Sequence, residues 1–211
     1  MKIILFDLDG TLIDSTPAIL ESFHVAFESF DTPIPNDEEI KKLIGLPLDI
    51  MFEKLGIDSE KKWAYVDAYK KHYRPISKAK TSLLPFAKDA VLEASKIATL
   101  GIVTTKTARY SEELMEHFGL LEYFEVLIGR EDVTHPKPHP EPILKALYKL
   151  NYKNHKAYMI GDTCLDCISA KEAGITPIAV HSGYGDKIDL HNCSNIVLEN
   201  ALEAVRFIKT K

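Results

Sequence analysis

Two aspartates one residue apart, Asp7-Leu8-Asp9, followed by Gly10-Thr11, close an apolar run that begins at Lys2. Three further polar clusters follow similar runs. Thr104-Thr105-Lys106 comes after Ile97–Val103, His135-Pro136-Lys137-Pro138-His139-Pro140 lies beyond Val126–Ile128, and Gly161-Asp162-Thr163 with Asp166 follows Ala157–Ile160. The combined inventory is four carboxylates, hydroxyls, lysine and glycines that leave backbone N–H groups accessible. Crowded carboxylates repel one another unless a cation or a proton joins them. Oxygen donors without a dedicated His or Cys set suit a hard cation such as Mg2+, which shares its shell between carboxylates, water and substrate phosphate. Lys137 and the Thr104 hydroxyl are apt partners for phosphate oxygens. The pattern therefore reads as a Mg2+-assisted phosphoryl-transfer site.

Each fragment alone has a plainer reading. Asp-x-Asp-Gly is often a strand-to-turn transition, Thr104 is a good strand residue, and Lys137 could be a solvated loop lysine. Asp162 and Asp166 could simply sit at the positive end of a helix. Joint occurrence, each cluster just past a strand, is what favours chemistry.

Such placement needs a parallel sheet, because ligands bind outside the carboxyl ends of parallel strands. The apolar runs, with Pro177–Val180 and a weaker Ile196–Leu198, are continuous rather than alternating, as in strands covered on both faces. Helix-period segments at Phe86–Ser95, Ser111–Phe118, Pro140–Leu150 and Cys164–Ala173 separate them. The alternation predicts an α/β fold, a Rossmann-like and mostly parallel sheet core. Residues 15–81 break the rhythm with helical patterns only. Ile19, Phe23, Ala26, Phe27 and Phe30 recur at helical spacing after Pro17, Asn36 looks like a second helix cap, and Gly45-Leu46-Pro47 interrupts before another helix. The expected organisation is an α/β catalytic core of 1–14 and 82–211 with an inserted helical cap domain at 15–81.

The ordered set Asp7-Leu8-Asp9-Gly10-Thr11-Leu12, Thr104, Lys137-Pro138 and Gly161-Asp162-x-x-x-Asp166 resembles the four motifs of the haloacid dehalogenase-like hydrolase superfamily, over nearly the whole chain. The helical insertion is similar to the cap of the subgroup holding phosphoglycolate phosphatase and β-phosphoglucomutase. Asp14-Ser15, Val103-Thr104-Thr105-Lys106 and Lys137-Pro138-His139-Pro140-Glu141-Pro142 look most like the phosphoglycolate phosphatase side, which often has Asn where Thr105 stands here. The resemblance implies that Asp7 is the nucleophile of an aspartyl-phosphate intermediate. It makes Asp9 the general acid/base, with its backbone carbonyl on Mg2+. Thr104, Thr105 and Lys137 would hold the phosphoryl group, Asp7 and Asp162 would ligate the metal, and Asp166 would hold a metal-bound water. Cap closure would exclude water during the reaction.

Other signals are set aside. Cys164-x-x-Cys167 invites a redox reading, but it lies inside the fourth cluster and opens a helix, so packing is the expectation. Loop residues His135 and His139 are expected to be solvated. Tyr65, Tyr69, His72 and Tyr73 are expected to pack inside the insertion. Gly183-x-Gly185 is too short for a dinucleotide fingerprint, and no Walker-type loop is present. The formal net charge of −5, with 45% apolar and 27% charged residues, disfavours nucleic acid and acidic membrane surfaces as partners. No run is long enough to span a membrane. The N-terminus lacks a signal-peptide layout and three cysteines suit a reducing compartment, so a cytoplasmic protein is expected. The leading expectation is a Mg2+-dependent phosphatase of a small phosphorylated metabolite. A phosphosugar mutase, an inorganic pyrophosphatase and a non-catalytic phospho-ligand binder are the alternatives.

Overall fold

The computed structural model describes residues 2–152 and 156–211. In chain order these form β1 (Lys2–Phe6), β2 (Ile13–Asp14), α1 (Thr16–Glu28), α2 (Asp37–Lys41), α3 (Leu48–Lys54), α4 (Lys62–Ile76), β3 (Ser82–Leu83), α5 (Ala87–Ala94), β4 (Ala98–Val103), α6 (Ala108–His117), β5 (Phe124–Ile128), α7 (Glu141–Lys149), β6 (Lys156–Gly161), α8 (Cys164–Glu172), β7 (Thr176–Val180), α9 (Lys187–Cys193), β8 (Val197–Leu198) and α10 (Ala201–Lys209). The chain divides into two compact units, residues 1–13 with 83–211, and residues 14–82.

The larger unit is an α/β fold on a six-stranded sheet of order β5-β4-β1-β6-β7-β8, with every neighbouring pair parallel. Side chains alternate across a strand, and β1 shows the result. Ile4 and Phe6 enter one core cluster with α5, α6 and α10, whereas Ile3 and Leu5 enter a second with α7 and α8. Covering both faces explains the continuous apolar runs. Register fixes the functional edge, since Phe6 of β1 lies level with Ile102 of β4 and Ile160 of β6. Asp7, Thr104 and Asp162 therefore emerge side by side from three adjacent strands.

Two helices at the C-terminal end, α9 and α10, go beyond the sequence expectation. Each has its cap. Asp186 accepts from the N–H groups of Ile188 and Asp189, and Asn200 accepts from that of Glu203 at 3.1 Å. Leu202, Val205 and Ile208 then recur at helical spacing and are buried.

The smaller unit contains α1–α4. Asn36 caps α2 through a reciprocal pair with Glu39, in which Glu39 N–H reaches Asn36 Oδ1 and Asn36 N–H reaches Glu39 Oε2. Its interior is aromatic. Phe23 and Phe52 lie 4.7 Å apart between ring centres, and Tyr69 stacks on Tyr73 at 5.5 Å. Tyr65, Tyr69 and Tyr73 are buried, as their spacing suggests, while His72 turns aside to meet Glu21 Oε1 at 3.0 Å. Phe30 departs from the expected stripe: it lies past the end of α1, 42% exposed, and stacks on Tyr65. Gly45-Leu46-Pro47 forms the turn between α2 and α3, with Gly45 at φ 108°.

Candidate active site

Asp7 extends the ladder of β1 by one bond, its N–H donating to Ile160 O at 2.9 Å. The chain then leaves the strand. Leu8 O accepts from the N–H groups of Thr11, Leu12 and Ile13, so Asp9 lies in a tight turn rather than on an extended segment. Gly10 makes the turn possible at φ 80°, and a β-carbon there would also lie 2.3 Å from Asp162 Oδ2.

The structure brings Asp7, Asp162 and Asp166 together. Each offers a carboxylate oxygen within 4.8 Å of the others, and all three residues are buried. Asp162 is fixed on both oxygens: Thr11 Oγ1 donates to Oδ1 at 3.2 Å and Tyr184 N–H to Oδ2 at 2.8 Å. Asp166 occupies the first turn of α8, where its Oδ2 accepts from Thr163 Oγ1 at 2.7 Å and Thr163 N–H at 3.1 Å. The plainer reading of Asp166 as a helix-end residue is thus true, yet its other oxygen faces the site.

Lys137 reaches that oxygen. Its Nζ, in a residue only 3% exposed, donates to Asp166 Oδ1 at 2.5 Å and to Val103 O at 3.1 Å. Asp7 Oδ1 stands 2.9 Å from the same nitrogen as an ion pair. Apart from that ammonium, no donor meets this buried oxygen. Thr104 N–H donates to Ile128 O, and Thr104 Oγ1 accepts from Lys106 N–H at 3.2 Å. Thr105 follows, half-buried.

The electrostatics are those of a site short of positive charge. Burial above all raises Asp7 to about 7, with Lys137 pulling it down and Asp166 pushing it up. Burial, then Asp7 and Asp166, raise Asp162 well above the usual carboxylate range. Burial would depress Lys137, but Asp166 and Asp7 outweigh it and its pKa rises. Three buried carboxylates converging on one point, with Lys137 as their neighbouring cation, fit a bound divalent cation, and an all-oxygen donor set is of the kind hard cations take.

Sequence reasoning missed three parts of this edge. Lys106 was grouped with Thr104 but given no role; its Nζ lies 3.1 Å from Asp9 Oδ2. Gly183, set aside as half a fingerprint, packs on Asp162 so closely that a β-carbon would lie 2.1 Å from Oδ2. Ser182 Oγ donates to Gly10 O at 2.8 Å, tying the same loop to the first turn. The signal available was Ser182-Gly183-Tyr184-Gly185 directly after β7, again at the carboxyl edge.

The cysteine reading needs correction. Packing is the sequence expectation for both Cys164 and Cys167, and it holds for Cys167 alone, since Cys164 forms a disulfide with Cys193 between the start of α8 and the end of α9. Cys167 points inward, and burial pushes its thiol up to about 12. An approach of residues 29 apart is invisible to local spacing. His135 and His139 are exposed, as expected. They sit around Glu141, whose carboxylate accepts from the N–H groups of Thr134 and His135 and is held down to about 2 by those bonds.

The sequence profile described as haloacid dehalogenase-like hydrolase matches residues 4–180. The chain belongs to this family. Haloacid dehalogenase-like relatives include the pyrophosphatase PpaX of Oceanobacillus iheyensis, 35% identical over 85% of this chain and 83% of that protein. The phosphoglycolate phosphatase of Salmonella typhi is 29% identical over 85% and 81%. A crystal structure described as a predicted phosphatase from Clostridium acetobutylicum superposes with a TM-score of 0.90 at 27% identity, covering 100% of this chain and 99% of that one. This haloacid dehalogenase-like protein is accordingly a hydrolase of the phosphatase kind. Among the described residues, no helix is long and apolar enough to cross a membrane.

Proposed function

We propose that the protein is a Mg2+-dependent phosphatase that hydrolyses a small phosphorylated metabolite through an aspartyl-phosphate on Asp7. The observation that carries the reading is Asp7 itself, a buried carboxylate at the tip of the central strand that meets Asp162 and Asp166 and has the Lys137 ammonium 2.9 Å from its Oδ1. A carboxylate so placed can attack phosphorus while the ammonium beside it offsets the negative charge that gathers there. Lys137 and Thr104 hold the phosphoryl oxygens, with Thr105 beside them. Asp9 protonates the leaving oxygen and then takes a proton from the water that opens the acyl phosphate. Asp7, the Asp9 carbonyl and Asp162 would hold Mg2+, and Asp166 a water on it. Bound there, Mg2+ supplies positive charge to the phosphoryl oxygens and offsets the carboxylates.

The division of labour suits the size of the task. Enzymes accelerate phosphate-monoester hydrolysis by up to ~10²¹-fold, about 28 kcal/mol of barrier. General acid–base catalysis typically contributes only ~10²–10⁴, so Asp9 alone is insufficient. A covalent intermediate and charge stabilisation supply the rest.

Relatives named pyrophosphatase and phosphoglycolate phosphatase support hydrolysis over the mutase alternative. The metabolite class is the small phosphate ester or anhydride that those names share. A cytoplasmic location belongs to this proposal, but the Cys164–Cys193 bridge takes away the support that a reduced set of three cysteines lent it. The test is a Mg2+-supplemented screen of phosphorylated metabolites comparing wild type with Asp7→Asn. Phosphate release should vanish in the variant while its circular dichroism spectrum persists. Hydrolysis by Asp7→Asn at the wild-type rate would refute the mechanism, and isomerised sugar phosphate with little free phosphate would favour the mutase.

A further inference from the structure

We propose that Lys106 reads the leaving group: its ammonium binds an anionic substituent on the departing part of the substrate, so that esters or anhydrides of small acids are preferred over esters of neutral alcohols. The inference rests on the phosphatase reading and adds to it the charge of the leaving group.

The two lysines at the carboxyl edge of the sheet stand in different surroundings. Lys137 is enclosed, with Val103 O, Asp166 Oδ1 and Asp7 Oδ1 around its Nζ. Its charge lies at the floor of the site, on the nucleophile's side, where the transferring phosphoryl group would sit. Lys106 instead faces Asp9, with Nζ 3.1 Å from Oδ2 and side chains that keep 10% and 12% of their surface exposed. That pair is dry enough for a strong charge interaction yet open enough to be reached.

Position decides which part of a substrate Lys106 meets. In phosphoryl transfer the attacking and leaving oxygens lie roughly in line on opposite sides of phosphorus. Asp7 attacks from one side, and Asp9 serves the leaving oxygen on the other. An ammonium in contact with Asp9 is therefore on the leaving-group side. Its backbone is anchored there: Lys106 N–H donates to Thr104 Oγ1 at 3.2 Å, and Lys106 O accepts from Arg130 N–H at 3.0 Å.

Charge points the same way. Four carboxylates, Asp7, Asp9, Asp162 and Asp166, meet two ammonium groups at this edge. With a divalent cation the fixed charges balance, whereas without Lys106 an incoming phosphate dianion would meet net negative charge. A second anion on the leaving group can be accommodated where an ammonium stands beside Asp9. A neutral leaving group gains nothing from that ammonium.

The experiment compares wild type, Lys106→Gln and Lys106→Arg on 2-phosphoglycolate and on 2-hydroxyethyl phosphate, the isostere whose leaving group is neutral. For wild type, kcat/KM should favour the carboxylate substrate. In Lys106→Gln the ratio of the two kcat/KM values should fall by ~10–100-fold, the range of one charge-assisted hydrogen bond, and Lys106→Arg should recover most of it. An equal loss on both substrates would mean that Lys106 only positions Asp9 or supports the fold, and would overturn the proposal. A second arm needs no turnover. In the Asp7→Asn background, calorimetry should show Lys106→Gln weakening 2-phosphoglycolate by ~10-fold or more while sparing inorganic phosphate. Equal weakening of both, or no measurable 2-phosphoglycolate binding before the change, overturns the proposal as well. If wild type hydrolyses neither ester, this binding arm still decides the role of Lys106, and the phosphatase reading stands or falls separately by the metabolite screen.

Discussion

Gly183 approaches Asp162 so closely that a β-carbon on the glycine would stand 2.1 Å from Oδ2. The neighbouring Tyr184 N–H donates to the same oxygen at 2.8 Å. A loop 21 residues downstream thus seats the carboxylate that the second half of the sheet brings to the edge. Gly183→Ala should push Asp162 out of place without touching any charge. Divalent-cation affinity, measured by calorimetry, should fall by ~10–100-fold, the size usual for lost outer support of a metal ligand. Circular dichroism should stay that of the folded chain. Unchanged Mg2+ affinity in a folded Gly183→Ala protein would show that Asp162 does not depend on this seat.

Lys137 is the cation that pairs with Asp7 and Asp166 among the three buried carboxylates. Lys137→Met would preserve much of the stem's packing and remove the charge, leaving Asp7 and Asp166 without their partner. Breaking a buried pair in this way typically costs about 3–5 kcal/mol. Urea unfolding in chelator should report a loss of that order, and saturating Mg2+ should restore part of it. Phosphatase activity should fall by ~10³-fold or more, as when a stabilising donor is removed from a transition state. A Lys137→Met protein as stable as wild type in chelator would contradict the burial argument.

The fold and the floor of this site were legible in the sequence for a common reason. Strands β1, β4 and β6 are covered on both faces, so they appear as unbroken apolar runs, and their ends expose Asp7, Thr104 and Asp162 as abrupt changes of chemistry. The features that escaped notice arise from approaches between distant loops. Lys106 stands beside Asp9 only because β4 pairs with β1 in one register. Gly183 meets Asp162 only because β7 pairs with β6. Nothing local marks Cys193 as the partner of Cys164. Helix α10 is different, since the Asn200 cap and the spacing of Leu202, Val205 and Ile208 were present in the sequence.

The raised pKa of Asp7 has a sign that can be checked. Its ordinary value is 3.8, and burial in the fold raises it to about 7. The folded state therefore holds this proton more tightly than the unfolded chain. Stability is favoured at low pH and is progressively lost as pH rises from about 3.8 to about 7, beyond which the cost is constant. Asp7→Asn cannot ionise and escapes that cost. In chelator at pH 8 it should be more stable than wild type by about 1–4 kcal/mol, with the difference narrowing toward pH 5. Added Mg2+ should reverse the order, because wild type gains a ligand that the variant lacks. Equal stabilities across pH 5–8 in chelator would mean that Asp7 is not held in a dry site.

The bridge between Cys164 and Cys193 encloses β7, the loop that seats Asp162 and α9, with a sequence separation of 29. Closing a loop of that length restricts the unfolded chain by about 3–4 kcal/mol in the chain-entropy account. Protein purified without reductant and then denatured should show one titratable thiol, that of Cys167, and three after reduction. The thiol of Cys167, buried and pushed up to about 12, should react only after unfolding. Reduction or Cys193→Ser should lower the unfolding midpoint and speed amide exchange first in residues 181–193, because the segment is then held to α8 by packing alone. That same segment carries Tyr184 and Gly183, so loosening it should weaken cation affinity in parallel. Three reactive thiols in unreduced, denatured protein would remove the bridge, and the loop over Asp162 would then rest on Ser182, Tyr184 and the close packing of Gly183.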